Sequence, residues 1–216
     1  MTVEEVVAKI GDVGIIPVVR AQSLRTASLA VEAVCSGGIP IVEITMTVPN
    51  ALEVIRQVVG KYGKGVLTGA GTVTTPEQAR ACLDAGAQFL VSPGLSRRVL
   101  EVAAAENALA VPGVFTPSEV MTAQESGATL VKIFPCGSAG GARHIKALRG
   151  PFPKLRMIPT GGVTLANAGE YIAAGAFALG VGSELVNETA LCDGEGGQVA
   201  ECARQFLEAV QRARAA

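Results

Sequence analysis

Histidine is nearly absent from this chain, which has one, His144, and a metal centre built on histidine is thereby excluded as a working idea. The five cysteines, Cys35, Cys82, Cys136, Cys192 and Cys202, form no C-x-x-C pair and read as reduced fillers. Only Cys136, which follows an informative strand, leaves a reactive thiol open beside the packing one. Charge is sparse too. Asp, Glu, Lys and Arg make up 17% of the residues, the formal net charge is -1, and no basic window recurs. The electrostatic footprint of a nucleic-acid partner is missing, so any anionic ligand must be small and held locally. No run approaches the ~18 apolar residues of a membrane-spanning helix, and no membrane partner is expected. The opening MTVEEVVAKIGD is acidic too early, and apolar too briefly, for a secretory signal. A soluble, cytoplasmic protein is the expectation.

What is present is a hydrophobic fraction of 49% in 216 residues, enough for one well-buried domain over 1–216. Small glycine-led segments that turn into apolar strands recur: GGIPIVEI at 37, AGAQFLVS at 85, SGATLVKI at 126 and AGAFALGV at 174. Their spacing suits two strand–helix units each. Between them lie VLTGAGTV at 66, NALAVPGV at 107 and RMIPTGGV at 156, and IIPVVRA at 15 precedes the first. Each of these eight strands is followed by apolar residues at helical spacing, from LRTASLAVEAVCSG to VAECARQFLEAVQRAR. Several helices open at Ser, Thr or Pro and close at Gly or Asn. The pattern predicts an α/β fold, a (β/α)8 TIM barrel with an extra N-terminal helix at about Val3–Ile10. An open doubly wound sheet is the alternative, disfavoured because no G-x-G-x-x-G opens the first helix.

In such a barrel, chemistry lies at the C-terminal strand ends. These ends carry Arg20, Glu43 with Thr45, Thr72, Ser92, Lys132 and Thr160, each among apolar neighbours. Glu43 and Lys132 occupy equivalent places in the second and sixth strands, so both can belong to one interior layer and face each other. Two readings stand. One is a buried ion pair closing the barrel. The other is a Schiff-base lysine with a carboxyl that shuttles protons, a pairing that requires the amine to become neutral before it attacks a carbonyl.

The last two loops, PTGGV at 159 and GVGS at 180, put bare backbone after strands 7 and 8, where barrels bind phosphate through N–H groups and helix dipoles. Gly161, Gly162, Gly182 and Ser183 are the candidates. GAGT at 69 is either part of a site or a tight turn that merely packs.

VEIT, GAGTV, VSPG, PGV-x-TPSE, VKIFP followed by GG-x-x-HIKAL-x-GPFP, PTGGV and GVGSEL, in order from about Ile15 to Leu185, together resemble the 2-keto-3-deoxy-6-phosphogluconate / 2-keto-4-hydroxyglutarate aldolase family. The resemblance implies a class I aldolase on a (β/α)8 barrel, a homotrimer, needing neither metal nor cofactor. It places the Schiff-base lysine on Lys132 and the acid/base glutamate on Glu43. Thr72, Pro93, Phe134 and Thr160 fall on the pyruvate part of the pocket, and Gly161, Gly162, Gly182 and Ser183 on the phosphate part. The implied substrates are small: a 2-keto-3-deoxy-6-phospho sugar acid or 4-hydroxy-2-oxoglutarate, yielding pyruvate and an aldehyde. A phosphogalactonate-type specificity, or an isomerase or synthase barrel whose lysine only binds an anion, are the rivals.

One departure matters. Relatives in this family carry an arginine on the pyruvate carboxylate where this chain has Thr47. A charge-assisted contact is worth about 1.5–3 kcal/mol, so either Arg20, the remaining cation, supplies the contact or the acceptor specificity differs. His144 is expected to pack rather than react.

Overall fold

The computed structural model describes residues 1–216. The chain opens with helix α1 (Val3–Val13), three residues longer than expected. Thr2 caps it in a reciprocal capping box with Glu5, and Gly14 ends it at φ 75°. Then follow β1 (Ile15–Val19), α2 (Leu24–Ser36), β2 (Ile41–Thr45), α3 (Ala51–Tyr62), β3 (Leu67–Gly71), α4 (Pro76–Asp84), β4 (Phe89–Val91) and α5 (Arg97–Ala105). The second half continues with β5 (Leu109–Val111), β6 (Gly113–Val114), α6 (Pro117–Glu125), β7 (Leu130–Ile133), α7 (Ala142–Arg149), β8 (Arg156–Pro159), α8 (Ala168–Ala173), β9 (Leu179–Val181), α9 (Glu188–Cys192) and α10 (Gly196–Ala215). No helix is long and apolar enough to cross a membrane.

Every strand pairing is parallel. One sheet has the order β5-β4-β3-β2-β1-β9 and the other β6-β7-β8, with a single bridge, Thr160 to Gly180, between the strand ends of β8 and β9. The expected fifth strand is divided at Pro112. Proline has no N–H for the ladder, although its carbonyl still accepts from the Lys132 backbone at 2.9 Å. The sheet curls enough to bring β2 and β7, members of different sheets, face to face across the interior.

Helix starts follow the sequence signals. Ser23, Thr75, Ser96 and Thr116 each accept a hydrogen bond from the third residue of the helix that follows. Helices α3, α7, α8 and α10 have no side-chain cap, and α8 also starts late. Its periodic pattern runs from Thr164, but the helix begins only at Ala168, and Asn167 ahead of it makes no side-chain cap. Around the sheet, 65 buried residues form one continuous hydrophobic cluster.

Candidate active site

Alternation along β2 and β7 decides which side chains enter the interior. Val42, Ile44, Val131 and Ile133 belong to the apolar cluster, which leaves Glu43 and Lys132 on the opposite faces of their strands. Lys132 Nζ lies 4.0 Å from Glu43 Oε1, and each side chain is 4% exposed. The other three ion pairs, Arg56–Glu53, Lys61–Glu32 and Arg204–Glu201, are at least half exposed and worth little. The interior pair is different in kind. Glu43 Oε1 is buried and accepts no hydrogen bond. The Lys132 ammonium also lies 5.0 Å from the centre of the Phe134 ring. An amine and a carboxylate 4.0 Å apart are too far for a direct hydrogen bond, so a group or water placed between them is what could relay a proton from one to the other.

Two glycines of β3 make room for this arrangement. A Cβ on Gly71 would stand 2.0 Å from Glu43 Oε1, and one on Gly69 would stand 2.2 Å from the Phe89 ring. GAGT is therefore not a tight turn: Gly69 to Gly71 lie inside a strand, and their missing side chains are the space that Phe89 and Glu43 fill. Gly71 was not evident as a site residue. The register, with Thr45 opposite Gly71, holds the signal, since a side chain leans along its strand. Thr72, just beyond, takes φ 59°, a left-handed conformation costly for a β-branched residue and typical of functional sites.

Other expected residues lie at neighbouring strand ends. Thr45 Oγ1 donates to the Val19 carbonyl at 3.1 Å and lies 2.8 Å from Thr47 Oγ1, which anchors the exposed Thr47 at the rim of β2. Pro93 is half-buried in a loop against β6, where a Cβ on Gly113 would meet the Pro93 carbonyl at 2.3 Å. Ser92 Oγ turns that loop by donating to the Gly94 carbonyl at 2.8 Å.

The glycine loops converge as well. A cavity of about 110 Å³ is walled by Arg20, Phe134, Thr160, Gly161, Gly162, Gly182 and Ser183, together with Val18, Val163, Gly180 and Glu184. Gly180 is a glycine because a Cβ there would lie 2.2 Å from Thr160 Oγ1. The backbone N–H groups of Gly161, Gly162, Gly182 and Ser183 bond to no acceptor in the chain, and unpaired donors lining a small cavity suit an anion. Helix dipoles contribute less than expected. Neither α8 nor α9 begins at a glycine; a single turn from Gly182, closed by Leu185 N at 3.0 Å and Val186 N at 2.8 Å, stands in after β9. Glu184 is a carboxylate at the edge of this cavity that the sequence did not point to.

Arg20, exposed at the end of β1, thus shares a cavity with the glycine loops and with Phe134 and Thr160. His144 packs as expected: its Nε2 lies 3.0 Å from the Phe115 carbonyl, and the two ring centres are 5.6 Å apart. Cys136 is fully buried. Burial pushes its thiol up to about 11, against a smaller lowering by the Tyr171 hydroxyl, so it is an inert packing thiol.

The sequence profile described as KDPG and KHG aldolase matches residues 6–202. A 2-dehydro-3-deoxy-phosphogluconate aldolase of Dickeya dadantii is 36% identical over 193 residues, covering 89% of this chain and 90% of that one. The KHG/KDPG aldolase of Escherichia coli K12 is 34% identical over 194 residues, covering 90% and 91%. The KDPG aldolase of Legionella pneumophila, solved with pyruvate captured as a covalent carbinolamine, superposes with a TM-score of 0.86 at 33% identity, covering 92% of this chain and 96% of that one. This chain belongs to the KDPG and KHG aldolase family.

Proposed function

We propose that this protein is a Schiff-base aldolase that cleaves 2-keto-3-deoxy-6-phosphogluconate to pyruvate and glyceraldehyde 3-phosphate. The carrying observation is the buried Lys132–Glu43 pair, 4.0 Å apart, with an unbonded carboxylate oxygen. Neutral Lys132 Nζ attacks the C2 carbonyl, and the resulting carbinolamine loses water to give an iminium. The C3–C4 bond then breaks, its electrons moving into the iminium, while Glu43 takes the C4 hydroxyl proton through a bridging water. The aldehyde leaves, the enamine is protonated at C3, and hydrolysis releases pyruvate and Lys132. The iminium is the electron sink, so the residues of this chain suffice for each step. Capture of pyruvate as a carbinolamine in the Legionella relative supports the first of them.

Thr72, Pro93, Phe134 and Thr160 surround the pyruvate half in this reading. The phosphate takes the N–H groups of Gly161, Gly162, Gly182 and Ser183. Because Arg20 lines that same cavity, we assign its charge to the phosphate and leave the pyruvate carboxylate to the hydroxyls of Thr47 and Thr72. The same chemistry on 4-hydroxy-2-oxoglutarate gives pyruvate and glyoxylate without using the glycine cavity. We further read residues 1–216 as one domain and β5 with β6 as one strand, so that the bridge from Thr160 to Gly180 closes an eight-stranded barrel. A homotrimer in the cytoplasm completes the proposal.

Borohydride reduction with labelled pyruvate is the test. Covalent label on Lys132 is expected, and Lys132→Arg, which keeps the charge, should lose both label and cleavage. Active protein that takes up no label would overturn the mechanism. For Arg20, Arg20→Ala should raise KM for glyceraldehyde 3-phosphate in the condensation direction and leave KM for pyruvate nearly unchanged; the opposite pattern returns Arg20 to the carboxylate.

A further inference from the structure

Asn167 stands where a helix N-cap belongs, directly before α8, and an asparagine there ordinarily accepts from an N–H in the first helical turn. It does not do so. Its Oδ1 accepts from Thr164 N at 2.8 Å, and its Nδ2 donates to the Gly162 carbonyl at 2.9 Å. Both bonds run backward into the loop that walls the anion cavity. That loop has little intrinsic stiffness, because Gly161 and Gly162 follow one another at φ 83° and 80°.

The other side of the loop is held by main chain alone. Cys136 N donates to the Thr160 carbonyl and Gly137 N to the Gly161 carbonyl, each at 2.8 Å. A Cβ on Gly162 would meet Gly137 Cα at 2.9 Å, so the two loops touch with no side chain between them. The carbonyls of Thr160, Gly161 and Gly162 are therefore all occupied by protein donors, and the N–H groups of Gly161 and Gly162 are left over. Asn167 supplies the only side chain in this clamp.

We propose that Asn167 is a positioning residue for phosphate binding: its carboxamide fixes Gly162 and Thr164 so that the free N–H groups of Gly161 and Gly162 are already arranged when the phosphate arrives. The inference rests on the glycine cavity being the phosphate site. A loop ordered in advance spends none of the binding energy on its own ordering, so losing the clamp weakens phosphate binding without touching Lys132 or Glu43. Because the carboxamide caps nothing in α8, the helix does not depend on it.

The test compares a phosphorylated with an unphosphorylated substrate. In Asn167→Ala, KM for 2-keto-3-deoxy-6-phosphogluconate should rise on the order of tenfold with kcat nearly kept, and the inhibition constant of inorganic phosphate should rise in parallel. KM for 4-hydroxy-2-oxoglutarate and borohydride trapping with pyruvate should not change. Asn167→Asp, which keeps the acceptor for Thr164 N and loses the donor to Gly162, should fall between the two and guards against a misfolded alanine variant. Equal losses on both substrates, or no loss on either, overturn the role. Wild-type enzyme insensitive to inorganic phosphate overturns the cavity assignment itself, and is read before any variant is made.

Discussion

Gly71→Ala adds one methyl group at the point where the Glu43 carboxylate passes. The new Cβ would lie 2.0 Å from Oε1 and 2.7 Å from both Cδ and Cγ of Glu43, so the carboxylate must retreat by roughly 1 Å. Gly71 has no left-handed φ, so the backbone tolerates alanine and the effect is confined to contact. Overpacking of this kind costs about 1–3 kcal/mol, a fraction of the ~5–15 kcal/mol that holds a domain together, and the variant should fold. Catalysis is less forgiving, since a 1 Å displacement of a reacting group can cost about 100-fold. Cleavage followed by lactate dehydrogenase detection of pyruvate should therefore show kcat down on the order of 100-fold, beside a thermal midpoint lowered by only several degrees. Gly65→Ala is the control, because its Cβ would meet nothing within 4 Å, and it should leave both readings unchanged. A Gly71→Ala enzyme that is destabilised yet turns over within twofold of wild type would refute the placement of Glu43 in the reaction.

Two further outcomes are expected. Glu119 is weakly buried, which raises its carboxyl, but bonds from the Thr116 side chain and from the Phe115 and Thr116 N–H groups outweigh this and hold it below its ordinary value of 4.5. A depressed native value means stability that is present above 4.5 and lost as the pH falls through the lower native value. The thermal midpoint of wild type should thus exceed that of Glu119→Gln at neutral pH, with the gap closing under acid; a constant gap would show that charge is not involved. Among the thiols, burial pushes Cys82 and Cys136 up to about 11, while Cys192 is exposed. Disulfide-exchange labelling at pH 8 should modify Cys192 first and reach Cys82 and Cys136 only on unfolding, and prompt reaction of Cys136 would contradict its burial.

Much of this molecule is legible in its sequence because local rules and tertiary structure agree. Apolar runs after Gly38, Gly86, Gly127 and Gly175 become strands, and Thr75–Pro76 and Thr116–Pro117 open helices where capping chemistry says they should. Placing Glu43 and Lys132 on alternate strands of one layer was enough to bring them together. Legibility ends where a residue serves something distant in sequence. Pro112 divides a strand whose pattern is unbroken, because ladder donors do not register in hydrophobicity. Gly69 and Gly71 resemble turn glycines, yet the groups they admit come from β4 and β2. Asn167 looks like a cap and is bonded the other way, and α8 begins only at Ala168. Arg20 is matched to a missing arginine by charge alone, and the cavity it lines holds Phe134 and Thr160 as well as the glycines.

The unbonded oxygen of Glu43 has a consequence for anyone engineering this chain. Buried ion pairs are commonly less stable than apolar side chains of similar volume, and this one carries an unsatisfied acceptor as well. Selection for heat resistance alone would favour replacing Glu43 and Lys132 with hydrophobic residues, enriching a library in robust proteins that have lost their chemistry. A screen on this scaffold has to demand turnover in every round.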